Sequence, residues 1–381
     1  MSAGLSLYLD LVRLAAALTV VVYHSGSVHA GGGWMRMPGF GPDAVFAFFV
    51  LSGLVIAYTT PSHHPTAADY FATRVARLWS VLLPALVMTG ILDAIGIAIA
   101  PHVYEGWAWA AWDHPVWRLL CAAFFLNEIW FFSIAPLSNI PVWSLGFEFW
   151  YYVLFGIWVY ASAVMRTPLL LLTAFFMGPK LLLFFPTWLL GVGIWRYRQR
   201  WKLPPPLAIA VVLVAPTLIV AAHATHLPAH LFQLETRWLS ASITDSKYGA
   251  FLWPLLLSMI VAANFIAAMS ITDRLYLLFA PCERPIQYFA GFTLSIYLLH
   301  MPLLLLFSAL MDHAPIGFWR SAATVMSALI GCLLFGMVFE SQRRPLRRIL
   351  LRAAALIDPS YSQNSLVHSK RKGRGHVRAR N

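Results

Sequence analysis

Two side chains in the first apolar run set the chemical question. The stretch LDLVRLAAALTVVVYHS carries Arg13 and His24. Eleven helical steps of about 100° return to nearly the same face, displaced by roughly 16 Å. One stripe of one helix would then hold a permanent cation near one end and an imidazole near the other. Asp10, three residues before Arg13, falls on the same face and can pair with it. A neutral imidazole accepts a proton near neutral pH, which is what activating a hydroxyl group requires. A histidine in such a run can equally serve helix packing alone.

Further polar residues stand in apolar surroundings. Asp43 opens the second apolar run, on the side where the first run ends at His24, so its carboxylate is a candidate to orient that imidazole. Its alternative role is an acid favoured by a helix N-terminus. The same run continues through Ser52-Gly53, where glycine permits close packing or a kink, and where Ser52 is a possible nucleophile. In YFATRVARLWSVLLP, Arg74 and Arg77 lie three apart on one helical face. Two guanidinium groups so placed suit phosphate oxygens, or simply a positive anchor at the inner membrane surface. Glu148 is a carboxylate in the aromatic stretch NIPVWSLGFEFWYYVLF, expected in the outer half near His24 and Asp43. His300 falls near the middle of FTLSIYLLHMP, with packing and function both open. Ionisable groups inside apolar spans are costly, so each is a functional candidate by default.

The elements that hold these residues follow from composition. Of 381 residues, 60% are hydrophobic and only 11% charged, against about 25% charged in soluble domains. Mean hydropathy is +0.71. Apolar runs of membrane-spanning length recur throughout, more than one globular core would bury. The expected fold is all-α: a polytopic transmembrane bundle of about ten spans over residues 1–345, then a basic, disordered cytoplasmic tail over 346–381. The spans are expected near 5–27, 43–60, 78–100, 142–164, 168–184, 185–197, 205–223, 248–270, 286–310 and 317–341. The pair within 168–197, interrupted by Gly178-Pro179-Lys180, has the alternative of one long bent helix. The run 117–134 is apolar enough to span, or to be re-entrant or interfacial.

Charge asymmetry orients the layout. With the N-terminus inside, the inner loops hold Arg74, Arg77, Arg166, Arg196, Arg198, Arg200, Lys202, Arg274 and Arg284, and then the tail. The outer loops hold Arg36, Lys180, Arg237 and Lys247. Both termini are therefore expected to be cytoplasmic. From Arg343 onward there are eleven Lys/Arg and one acid, Asp358. That tail reads as a topology anchor touching anionic lipid. It has no folded module and no interleaved aromatics, so nucleic acid is not an expected partner. The aromatic outer stretches 101–116 and 224–247 suit an interfacial belt, or sugar stacking. The three cysteines, Cys121, Cys282 and Cys332, are widely spaced and give neither a disulfide framework nor a metal pattern. The N-terminus lacks the basic region of a signal peptide.

Taken in order, DLVRLAAALTVVVYHS, GPDAVFAFFVLSGLVIA, RVARLW, VWSLGFEFWYY and SIYLLHMP resemble the acyltransferase-3 family, over roughly residues 5 to 345. The resemblance implies a multi-pass protein of the bacterial inner (plasma) membrane that moves an acyl group from acyl-CoA to a carbohydrate hydroxyl. It implies His24 as the catalytic histidine, Arg13 as its partner, Arg74 and Arg77 as the donor-binding Arg-x-x-Arg, and Glu148 as the acid after Trp-Ser-Leu. Catalysis is thus expected of His24, Asp43 and Glu148, donor binding of Arg13, Arg74 and Arg77, and support from Asp10, Ser52 and His300. The expected partners are acyl-CoA (most simply acetyl-CoA, as a donor substrate), a carbohydrate acceptor and membrane lipid, with no metal and no permanently bound cofactor. Direct transfer and an acyl-enzyme relay both remain open. Ser80 departs from the family pattern, where proline commonly comes sooner. No SGNH-type domain follows the last span here, so two-domain transfer is not expected. The rival class is a transporter or flippase, which broken helices and buried charges also fit. Against it stand the lack of an internal repeat and the division into inner arginines and an outer histidine–acid group. A structural membrane subunit is a third class, and would tolerate substitution at Arg74, Arg77 and His24.

Overall fold

The structure, a computed structural model, describes residues 1–27, 39–63, 65–106, 110–237 and 251–357. Arg36, Lys247 and the tail from residue 358 lie outside the described residues. Among those described, the regular elements are helices, with one isolated antiparallel bridge between Ala111 and Leu137. They run α1 (Ala3–Ser27), α2 (Phe40–His63), α3 (Ala67–Ile99), α4 (Pro115–Ala123), α5 (Trp143–Tyr160), α6 (Ala163–Met177), α7 (Pro179–Arg196) and α8 (Pro205–Ala224). There follow α9 (Leu227–Glu235), α10 (Leu252–Ser270), α11 (Thr272–Phe279), α12 (Glu283–Ala290), α13 (Thr293–Leu310), α14 (Phe318–Phe339) and α15 (Arg343–Ile357). Eight stretches are long and apolar enough to cross a membrane, or nine if the bent pair α6–α7 counts as one span.

Local chemistry sets the boundaries. Thr66 caps α3: its Oγ1 accepts from the Asp69 amide at 3.1 Å and donates to the Asp69 carboxylate at 3.0 Å. Ser162 starts α6 in the same way. The Glu235 carboxylate caps α10 from a distant element, accepting from the amides of Phe251 (2.7 Å) and Leu252. Such caps satisfy amides that a helix start leaves open. Gly178 takes φ +80° between α6 and α7, which are bent by 118°. The break therefore falls at the Gly-Pro pair and not at 184/185, while Pro186 stays inside α7.

The centre of the bundle is aromatic, with Phe46, Phe49, Phe147, Tyr151, Phe184 and Trp188 all buried. α2 and α7 cross at two glycines. A side chain at Gly53 would meet the Trp188 carbonyl, and one at Gly191 the Val50 carbonyl. The close-packing role expected of Ser52-Gly53 is what the fold uses.

The run 117–134 forms no spanning helix: α4 ends at Ala123 and the chain turns back. α4 goes in beside α3, and its unfinished end is capped by indoles: Trp79 Nε1 donates to the Ala123 carbonyl and Trp150 Nε1 to the Phe125 carbonyl, each at 2.9 Å. The chain then returns, and Ser138 donates to Asp93 from its amide (3.1 Å) and hydroxyl (2.7 Å). Irregular backbone at membrane depth survives only where its polar groups are satisfied by protein. This hairpin meets the α6–α7 bend. Trp130 N donates to the Met177 carbonyl at 2.8 Å, and Lys180 Nζ pairs with Glu128 Oε2 at 2.7 Å. Lys180 is thus no outer-loop charge but half of a buried ion pair. Removing one partner of such a pair costs about 3–5 kcal/mol.

Three further boundaries differ from expectation. α3 starts at Ala67, eleven residues early, because the Thr66 cap sits there and the arginines ride on its first turns. The expected span 286–310 is two helices, α12 and α13, broken at Gly291 and Phe292. The expected disordered tail begins as helix α15, which packs on α3 through Arg347.

Candidate functional site

Helices α1, α2, α3, α5 and α13 wall a cavity of about 740 Å³, counting its open mouth. Arg13 of α1 and Arg74 and Arg77 of α3 line it together. Ser52 of α2 and Glu148 and Tyr152 of α5 face them. Phe48, Phe49, Val55 and Leu145 supply apolar wall. The lining thus sets three guanidinium groups against one carboxylate, an anion-attracting balance.

Arg74, Arg13 and Glu148 are each held. Arg74 is 5% exposed and donates from Nη2 to Thr59 Oγ1 at 3.0 Å. Its guanidinium stands 5.8 Å from the Tyr70 ring centre and 6.0 Å from that of Tyr152. Arg13 pairs with Asp10 at 3.4 Å, and its buried Nε has no hydrogen-bond partner among the described residues. Glu148 accepts from Ser52 Oγ at 2.6 Å and from the Tyr152 hydroxyl. Trp188 Nε1 donates in turn to Ser52 Oγ at 3.3 Å.

α13 leads out of the arginine cluster toward the imidazoles. Thr293, Leu294 and Tyr297 line the cavity. The Tyr297 hydroxyl contacts Ser144 Oγ and donates to the Pro141 carbonyl, each at 2.8 Å. His300 follows one turn later, fully buried, its ring centre 6.1 Å from that of Tyr297 and 5.2 Å from that of His24. His300 Nδ1 faces the Ile296 carbonyl at 3.1 Å, which places its proton on Nδ1. Nε2 is then left as an acceptor, buried and without a partner among the described residues.

Two expected groupings change. Glu148 does not stand with His24 but with the arginines, because α5 carries it a turn past Ser144 and into the cavity. Asp43 does not orient His24. Its Oδ2 lies 2.7 Å from His223 Nε2 and its Oδ1 accepts from Trp253 Nε1 at 2.8 Å, tying α2 to α8 and α10. Gly39, at φ +84°, lets the His223 ring approach the start of α2. The imidazole that does meet His24 is His300.

Several participants were not singled out from sequence. Tyr152 had a signal, standing four residues after Glu148 on the same helix face. Tyr297 had one too, one turn before His300. His223, Trp253 and Thr59 had none, because their partners are set by how distant helices pack. Among the described residues, no three His, Cys, Asp or Glu side chains gather as metal ligands.

Comparison with known proteins assigns the chain to a family. A curated relative, Acyltransferase MdmB of Streptomyces mycarofaciens, is 28% identical over 153 residues, 39% of this chain and 37% of that protein. The match thus spans little more than a third of the relative's length. No solved structure gives a significant match. A family profile described as an acyltransferase domain matches residues 6–339, which takes in every wall of the cavity and both histidines. The chain therefore belongs to the acyltransferase-3 family of membrane acyltransferases.

Proposed function

We propose that this protein transfers an acyl group, most simply acetyl, from an acyl-CoA thioester to a hydroxyl of a cell-surface or exported carbohydrate at a bacterial inner membrane. The observation that carries the reading is the cavity itself: Arg13, Arg74 and Arg77 open on one space, and α13 leads from that space to the His24–His300 pair. In this reading the CoA phosphates sit on the guanidinium groups from the cytoplasmic side, and the thioester reaches along the apolar wall toward the imidazoles. His300, its proton on Nδ1, has its unpartnered Nε2 within reach of the His24 ring, so that in the reacting complex one His24 N–H turns to it and the other His24 nitrogen serves as base. The acceptor oxygen attacks the thioester carbonyl carbon while its proton passes to His24. The carbon–sulfur bond breaks, and the proton goes on to the CoA sulfur. Ser52, Glu148 and Tyr152 set the wall facing the arginines. Asp43, bound to His223, acts at a distance by fixing the start of α2.

A second course has one specific support. Ser52 Oγ donates to Glu148 at 2.6 Å, the arrangement of a nucleophile with its base. An acyl-Ser52 intermediate would then precede transfer.

The test is purified protein in nanodiscs with acetyl-CoA, following free CoA thiol, together with mass spectrometry of surface and secreted glycans from cells with and without the gene. Thiol release that depends on a glycan acceptor, and glycan acetylation lost with the gene, are expected. Intact thioester together with unchanged glycans would overturn the reading. Trapping a Ser52 adduct by peptide mass spectrometry decides for the relay.

A further inference from the structure

One charged element stands apart from the cavity. α15 follows α14 after a single 3-10 turn and lies against the foot of α3. Arg347 seats it: Nε donates to Thr73 Oγ1 at 2.8 Å and Nη2 pairs with Asp69 Oδ1 at 2.9 Å. Thr73 immediately precedes the cavity arginine Arg74.

The rest of α15 divides into sectors. At about 100° per residue, Leu346, Arg347, Leu350 and Ala354 share the side toward α3, and all four are partly buried. A second sector is apolar yet exposed, with Ile349 at 59%, Leu356 at 86%, and Ala353 between them. The third is cationic: Arg344, Arg348 and Arg352 recur every four residues and are all exposed. They rise along one edge by about 6 Å per step. A helix in bulk water gains nothing from an exposed apolar sector beside an arginine edge. One that leaves a bilayer through its interface does: the apolar sector faces the acyl boundary and the arginines meet headgroup phosphates. The position fits: α14 and α15 belong to one helical stretch, Phe318–Leu356, apolar enough to cross a membrane, and α15 is the basic end by which that stretch leaves its apolar part. The sequence past Ile357 adds six more Lys/Arg and one acid, so the charge of the whole segment favours an anionic surface.

We propose that α15 is an interfacial helix whose Arg344, Arg348 and Arg352 bind the phosphate groups of anionic phospholipid, seated beside the acyl-CoA cavity by Arg347. This claim concerns lipid and stands whether or not the acyl-transfer reading holds.

Native mass spectrometry of the full chain tests it, with phosphatidylglycerol titrated against phosphatidylcholine. The wild-type chain is expected to retain phosphatidylglycerol in preference, and R344Q/R348Q/R352Q to lose that preference by roughly fivefold per arginine. A second measurement does not need the triple variant. In I349W, fluorescence of the new tryptophan, referenced to the unsubstituted chain, is expected to be quenched by lipids brominated high on the acyl chain. An unchanged lipid preference in the triple variant, or an unquenched tryptophan at 349, overturns the proposal. So does a triple variant that keeps its lipid preference but binds acetyl-CoA more weakly, since its arginines would then serve the donor.

Discussion

The arginine cluster that lines the cavity and the His24–His300 pair that lies beyond it along α13 are built on opposite principles. At the arginine end, ionised groups are crowded and anchored: Arg13 on Asp10, Arg74 on Thr59 and two aromatic rings, and Glu148 on Ser52 and Tyr152. At the histidine end, His24 meets a second imidazole whose Nε2 has no described partner. The two regions are therefore suited to different tasks. Fixed charges attract and hold an anion, and their anchors keep the geometry while the ligand is absent. A neutral imidazole pair holds no anion, but can take up and return a proton without facing a permanent charge. An orienting carboxylate would stabilise the imidazolium more strongly. Tyr23 and His300 stand beside the His24 ring, and neither is a carboxylate.

The largest effect should come from the histidine end. His24→Ala is expected to lower turnover by about 10²- to 10⁴-fold, the usual worth of a positioned proton acceptor, with acyl-CoA affinity unchanged by calorimetry. Wild-type turnover in a folded variant would remove His24 from the chemistry and leave the arginine end alone.

Removing the arginine pair comes next and should split the kinetic constants the other way. In R74Q/R77Q, KM for acyl-CoA is expected to rise by about 10- to 100-fold, as for the loss of one or more hydrogen bonds to a charged group, with a smaller change in kcat. Dephospho-CoA thioesters should be less affected than the full donor. A change confined to kcat would mean that the two ends are not divided as described.

His300 sharpens the comparison. His300→Ala is expected to lower kcat by about tenfold, the worth of one hydrogen bond made in the reacting complex, and to leave KM for the donor in place. His300→Gln, whose amide oxygen can accept from His24, should recover part of that loss. Equal losses in Ala and Gln would reduce His300 to packing.

The smallest effect concerns Asp43. In double-mutant cycles on thermal stability, Asp43→Asn and His223→Gln should couple by about 1 kcal/mol, as hydrogen-bonded partners do. In cycles on turnover, Asp43→Asn and His24→Ala should be additive to within about 0.5 kcal/mol, as for residues with no shared partner. Coupling of the second pair instead of the first would restore Asp43 to the side of His24.

The class of molecule is legible in the amino-acid order alone, because length and apolarity of a run are local properties that a bilayer reads directly. That order also determined the shared stripe of Asp10, Arg13 and His24, since a helix fixes faces by counting, and it grouped Arg74 with Arg77 for the same reason. The ordered motifs were enough to indicate the family. The contacts between helices came from packing alone. Nothing in the spacing tells that Asp43 meets His223, 180 residues away, that Lys180 is buried on Glu128, or that the run 117–134 turns back beneath two tryptophans. Glu148 was legible as an acid needing a partner, yet its depth and direction depended on where α5 begins and on α13 lying beside it. Partners across a helix bundle are fixed by which small residues let two backbones approach, as Gly53 and Gly191 do. That is a property of the packed pair, written in neither helix alone.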